Sequence, residues 1–246
     1  MHDIHNDFEI ENILEENRKR HEIINAPYNP VTGLGAVGER KKISIKDSHI
    51  GDMYLPVELI KENLFIRRLA KYGFKGYIIR FIKEVEYSEE ALNQLWIEFI
   101  KYRIIYDFEY WAYSFIFIKD KVSPKDIPFK LNRAQRRVLN KLEKLRKAGK
   151  PIKFILLKAR QWGGSTLVQI YMLWIMLVHR RNWNTVICGD VETQSRNVRA
   201  MITKALNKYP SYLLGETVKF TPFEGSSKNK VIQNTNCVVS IGSFQK

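Results

Sequence analysis

Cysteine is almost missing from this chain. Cys188 and Cys237 are the only two in 246 residues. Each sits inside a strand-like apolar run without C-x-x-C spacing, which excludes a disulfide framework, a thiolate metal site and a dithiol redox pair. The reading that follows is a reduced, intracellular protein. Histidine is sparse too: His2, His5, His21, His49 and His179 are scattered, and none stands at ligand spacing from another on a helix, so a histidine-held metal is not expected. Long apolar runs are absent. The greasiest stretch, Leu167 to Val178, is shorter than the ~20 residues of a bilayer span and reads as a core helix. The start, MHDIHNDFEIENILEENRKR, lacks the cationic then apolar order of a secretion signal. Acid is the last shortage, with 26 Asp and Glu against 41 Lys and Arg and a net charge of +15. Such an excess points to a polyanionic partner, nucleic acid before a membrane surface.

What is present is enough to fold. Apolar residues make up 45% and aromatics 12%, so buried surface can offset the entropy of ordering, and the length suits one domain or one plus an appendage. Three stretches follow: an irregular N-terminal arm and loop at 1–54, a helical lid region at 55–120, and an α/β part at 121–246. Residues 1–26 read as a loose helix or an arm. Ala26 to Lys42 contains Gly33-x-Gly35-x-x-Gly38, but a turn signal at Asn29-Pro30 stands where a dinucleotide site needs a strand. No apolar helix follows, so the stretch reads as an ordered loop.

A helix is expected from Pro56 to Tyr72, with Val57, Ile60 and Leu64 on its buried face and Gly73 past its end. Helical character continues over Phe74 to Val85, and Ser88 with Glu89 and Glu90 starts another helix. Trp96, Tyr110 and Trp111 fit core positions better than base-stacking platforms. Leu131 to Lys147 forms an amphipathic helix. Val138, Leu139, Leu142 and Leu145 are its apolar stripe, and Arg133, Arg136, Arg137, Lys141, Lys144, Arg146 and Lys147 are either a solvated basic face or a DNA contact.

The stretch most charged with chemistry is Lys153 to Leu167, KFILLKARQWGGSTL. Phe154 to Leu157 reads as a short buried strand. Gly163 and Gly164 then open a tight turn, and Ser165 and Thr166 begin a helix. In that layout loop amides and the orphan N–H groups of the helix start converge on one point, which favours an anion. Against G-x-x-x-x-G-K-[ST], Gly163 takes the second glycine and Ser165 the hydroxyl. Gly164 replaces the lysine, and Lys158 stands where the first glycine would be, with Arg160 two residues on. A long side chain at the end of the strand can supply the missing cation, Lys158 first and Arg160 second. Downstream, Thr185 to Gly189 is a second strand beside the first, and Asp190 to Asn207 a helix with Val198, Met201, Ile202 and Leu206 inward. Asp190 either caps that helix or approaches a nucleotide. Thr221 to Lys230 reads as a loop, and Asn234-Thr-Asn236 as the turn of a hairpin.

Lys158-Ala-Arg-Gln-Trp-Gly-Gly-Ser-Thr166 resembles the deviant Walker A of the large terminase subunits of tailed bacteriophages, in which the cation moves to the front of the loop. Phe129 to Leu139, FKLNRAQRRVL, is similar to that family's adenine-binding segment, which carries a glutamine. The resemblance runs from about Asp107 to the C-terminus and more faintly over Asn29 to Asp52. It implies a P-loop NTPase with a parallel sheet, preceded by a helical region, that binds ATP and Mg²⁺ as the ATPase part of a viral DNA-packaging motor in the host cytoplasm. Lys158 and Arg160 would neutralise phosphate, and Gln161, Trp162, Gly163 and Gly164 would form the loop. Ser165 would coordinate Mg²⁺, Thr166 would support it, and Gln135 would read adenine. Double-stranded DNA, a portal protein, a small terminase subunit and a homo-oligomeric ring are the implied partners.

No apolar strand ending in Asp-Glu follows Ser165, and neither does a nuclease-type carboxylate cluster. The sequence therefore reads as the front of a longer protein or a truncated gene, with weak hydrolysis at most. A helicase-like P-loop ATPase and a non-catalytic basic DNA-binding protein with a vestigial loop are the alternatives.

Overall fold

The computed structural model describes residue 15 and residues 27–82, 88–120, 123–157 and 162–244. The expected arm at 1–26 lies, apart from Glu15, outside these. Residues 27–39 form successive turns leading into a hairpin of β1 (Arg40–Ser44) and β2 (Asp52–Pro56), paired antiparallel with Arg40 opposite Pro56. The stretch read as an irregular arm thus ends in regular structure.

Pro56 precedes α1 (Val57–Glu62), as expected, but the helix then breaks. Asn63 adopts an extended backbone, and its side chain accepts from the Ile66 N–H at 3.0 Å to start α2 (Leu64–Phe81) afresh. That break shifts the helical phase. Leu59, Ile66 and Leu69 are fully buried, whereas Leu64, expected inward, is 51% exposed. Gly73, at φ 74, kinks α2 where its end was expected. Ser88 caps α3 (Glu89–Tyr106) by accepting from the Ala91 N–H at 3.1 Å, and Asp107 caps α4 (Phe108–Phe115). β3 (Phe117–Lys119) pairs with β4 (Asp126–Pro128) across the proline-containing linker.

These helices are not a separate layer. Phe108 packs edge-on against Tyr171 and Trp174, the Trp111 indole donates to the Tyr209 hydroxyl at 3.0 Å, and the Trp174 indole donates to the Ile104 carbonyl at 2.8 Å. One continuous apolar core runs from the β1–β2 hairpin to the C-terminal sheet. Trp111 and Trp174 are wholly buried at its centre, each stabilising by about 2–3 kcal/mol through apolar burial.

Next in the chain come α5 (Arg133–Lys147) and α6 (Gly164–Trp174), the latter extended by a π-helical turn at Ile175–His179. β5 (Asn184–Gly189), α7 (Glu192–Asn207) and the short α8 (Ser211–Leu214) follow. The chain closes with β6 (Phe220–Phe223), β7 (Ser226–Ile232) and β8 (Cys237–Ser243). The sheet order is β5-β8-β7-β6. Only β5 and β8 run parallel; β8–β7 and β7–β6 are antiparallel. The protein is therefore mixed α/β, with a sheet that is mostly antiparallel rather than the expected parallel one.

Two strand expectations fail. Phe154 to Leu157 forms no strand, and Ile155 and Leu157 are each 99% exposed. Apolar content does not make a strand without a ladder partner, and β5, expected beside this run, pairs with β8 instead. Thr221 to Lys230, expected as loop, supplies parts of β6 and β7. Pro222 is tolerated there because β6 is an edge strand with an irregular register at Pro222/Phe223, and Glu224 and Gly225, both at positive φ, make the turn. The hairpin about Asn234–Asn236 forms as expected, with Asn236 at φ 53.

Candidate functional site

The glycine turn is built from both sides. Gly163, at φ 83, is the left-handed residue ahead of α6, whose start no side chain among the described residues caps. Leu167, Ile170 and Leu173 bury the helix's inner face and fix its axis. From the other side, α5 opens with a capping box: the Asn132 side chain accepts from the Gln135 N–H, and Gln135 Oε1 accepts from the Asn132 N–H, both at 2.9 Å. The same two residues reach the turn. Gln135 Nε2 donates to the Gly163 carbonyl and Asn132 Nδ2 to the Trp162 carbonyl, each at 2.9 Å.

Gln135 is only 4% exposed, and both ends of its amide are engaged. One N–H of that amide is left to offer elsewhere. The glycines serve this packing directly. A Cβ on Gly163 would stand 2.7 Å from Gln135 Nε2, and one on Gly164 would stand 2.6 Å from the Trp162 ring.

Ser165 is exposed and Thr166 half-buried, and with Gly164 they line one wall of a cleft of about 600 Å³. The facing wall is Ile187 to Gly189 with Gln194 and Asn197 of α7, and Leu156 borders it. No carboxylate lines this cleft among the described residues. Asp190 follows directly on Gly189 but does not cap α7. That helix begins at Glu192 after Val191, and the Asp190 backbone N–H donates to Gln194 Oε1 at 3.2 Å.

Lys158, Arg160 and Gln161, the two expected cations and the loop glutamine, lie outside the described residues. A second cleft, about 900 Å³, lies on the other side of Leu156, Val168 and Met172 and includes His179. Burial, with Arg146 nearby, pushes the His179 imidazole down to about 4, and its ring stands edge-on to Trp174 at 4.3 Å.

Sequence reasoning missed a buried ionic cluster at the other glycine turn. Arg40 grips Asp107 with two hydrogen bonds of 2.9 Å, and Arg103 Nε adds a third at 3.1 Å. Arg136 Nε donates to Glu109 Oε1 at 2.8 Å and its guanidinium also reaches the Gly35 carbonyl, while Glu109 accepts the Val37 N–H. Burial opposes ionisation of Asp107, but Arg40 and Arg103 outweigh it and hold the carboxyl down to about 2. At Glu109 burial prevails over Arg136 and the pKa is raised. The i,i+4 spacing of Arg103 and Asp107 was the one legible sign of this cluster.

No family model and no curated protein matches the chain.

Proposed function

We propose that this protein is the ATP-binding part of a DNA-packaging motor of the large terminase type, built on a P-loop-like α/β unit. The observation that carries the reading is the start of α6. There Gly163 turns the chain left-handed, an uncapped helix N-terminus follows, and Ser165 and Thr166 line a cleft without carboxylates among the described residues. Orphan N–H groups, two hydroxyls and the positive end of a helix dipole suit a phosphate anion. The donor set thus fits the nucleotide implied by the resemblance.

Within this reading Ser165 and Thr166 would bind phosphate oxygens and Mg²⁺, and Lys158 or Arg160 would bring the compensating charge. When bound, Mg²⁺ neutralises phosphate charge. Asn132 and Gln135 hold the turn in place through the Trp162 and Gly163 carbonyls. Base recognition by Gln135 is then limited to its spare N–H, unless its bond to Asn132 opens.

The test is titration of Mg²⁺–ATP onto the protein by calorimetry, with Lys158→Ala and Arg160→Ala beside the parent. Saturable binding that weakens about tenfold or more in one of the two variants supports the reading, since a charge-assisted contact carries more than ~1.4 kcal/mol. No binding by the parent sinks it.

A further inference from the structure

We propose that the outer face of α7, with Lys230 from β7, is the surface on which duplex DNA lies, held through its phosphate backbone. The expected basic helix was α5, but several of its charges are committed. Arg136 is buried against Glu109, Arg146 is bound to Glu143 by two hydrogen bonds of 2.8 Å, and Lys147 pairs with Glu58 at 2.8 Å. The α7 charges are partly paired as well, but they stand together along one groove. Arg196, Arg199, Lys204 and Lys208 recur at helical spacing and, with Lys230, line an open groove of about 500 Å³. Ile202, Ala205 and Leu206 are buried on the opposite side, which fixes the basic face outward.

Two carboxylates adjoin these five cations. Asp126 takes both Lys204 and Lys208, and Glu192 stands 3.9 Å from Arg196. An excess of three positive charges remains. Arg199 lines the groove, and its buried Nε has no hydrogen-bond partner among the described residues. Thr203 and Asn207 lie between the cations and can also donate to phosphate oxygens.

The length of the row selects the ligand. From Arg196 to Lys208 the helix rises about 18 Å, longer than a nucleotide triphosphate and comparable with several phosphates of one DNA strand. Among the described residues no aromatic side chain lines the groove, and the nearby Phe117 and Phe220 rings are covered by Lys208 and Lys230 at 5.6 and 5.0 Å, so it lacks the open stacking platforms that single strands use. A membrane surface would call for large apolar side chains beside the charges, and among the described residues α7 presents in this groove only the small Ala200. The surface is therefore suited to sequence-indifferent contact with a duplex. The choice of DNA over another polyanion rests on the proposed motor; the groove and its charge do not.

The experiment is fluorescence anisotropy of a labelled 30-base-pair duplex over a series of salt concentrations. It compares the parent with Arg196→Glu/Arg199→Glu and with the neutral Arg196→Gln/Arg199→Gln pair, circular dichroism confirming that each is folded. Losing two phosphate contacts should lower affinity tenfold or more at low salt and reduce the slope of log K against log salt by about 2. Arg133→Glu/Arg137→Glu on α5 should change neither by as much.

Parent-like affinity and slope in both α7 variants would overturn the proposal. So would a loss confined to anionic lipid vesicles with duplex binding intact. Mg²⁺–ATP titration of the same proteins separates the two ideas: an α7 variant that loses DNA and keeps ATP supports the surface, and a parent that never binds ATP removes the motor while leaving the DNA result readable.

Discussion

The turns at residues 33–38 and 162–164 both place glycine in the left-handed region, at Gly33, Gly35 and Gly38 in the first and at Gly163 in the second. Around the first, Arg40, Arg103, Asp107, Glu109 and Arg136 form a buried ionic cluster that binds the Gly35 carbonyl and the Val37 N–H. Around the second the ties are neutral amide hydrogen bonds from Asn132 and Gln135, and one side opens on a cleft. Glycine spacing announces a turn in both cases. Whether the turn is a rivet or a receptor depends on what surrounds it: here the charged turn, beside a cleft of about 180 Å³, is the rivet, and the lightly tied turn beside the cleft of about 600 Å³ is the receptor in the proposed function.

The sharpest way to break this contrast is to remove the centre of the rivet. Asp107→Ala leaves two buried guanidiniums, Arg40 and Arg103, facing each other without a carboxylate. Breaking a buried pair from one side costs about 3–5 kcal/mol, so urea denaturation should show a loss of that size. ATP affinity of the folded fraction should hardly change. A cost below about 1 kcal/mol would show that the cluster is not what fastens the turn.

Glycine replacement compares the two turns directly. Gly38→Ala meets nothing nearer than Lys147 Nζ at 4.0 Å, so its cost is left-handed strain alone, about 1 kcal/mol. Gly163→Ala adds a collision with Gln135 to the same strain and should cost roughly 1–3 kcal/mol. It should also weaken ATP about tenfold, equivalent to ~1.4 kcal/mol, while Gly38→Ala leaves ATP binding unchanged. Equal effects of the two on ATP, measured by calorimetry, would erase the distinction between them.

Gln135→Ala is milder. It strands the Asn132 N–H and the Gly163 carbonyl, worth about 1–2 kcal/mol if water does not reach them. Because the amide already serves the protein at both ends, the resulting loss of nucleotide affinity should be the same for ATP and GTP. A loss confined to ATP would instead mark Gln135 as the residue that reads the base.

These contrasts also show where sequence is legible. Ser88, the α6 start and the Asn234–Asn236 hairpin were readable because capping and turn chemistry act within four residues, whereas the Asn132/Gln135 box was missed. Asn63 as a break was not, since its effect depends on which phase of the helix finds the core. Phe154–Leu157 and β5 were each apolar enough for a strand, yet pairing is decided by a partner distant in sequence, and β8 rather than the 154–157 run supplied it. The Arg40–Asp107 and Arg136–Glu109 pairs span 67 and 27 positions, a separation at which composition carries no signal. Of the site itself, Gly163, Gly164, Ser165 and Thr166 were legible as a unit, while the direction of Gln135 toward the loop carbonyl was not.

The smallest expected effect is a difference in how acid loosens the two regions. His179, at the other end of the helix that the glycine turn starts and lining the second cleft, has its pKa lowered from about 6.5 to about 4 by burial. The unfolded chain therefore binds the extra proton first. Stability that is fully present above about pH 6.5 is lost progressively as pH falls through 4. Asp107, at the rivet, is also lowered, to about 2 against an unfolded value near 3.9, so its contribution survives to about pH 4 and disappears only below it. Glu109 is shifted upward and works in the opposite sense, which makes single-site controls necessary. Denaturation midpoints measured from pH 7 to 4 should fall in the parent and flatten in His179→Gln. The decline below pH 4 should persist in that variant and shrink in Asp107→Asn. A parent whose midpoint is level from pH 7 to 4 would show that the His179 environment is wetter than its packing against Trp174 implies.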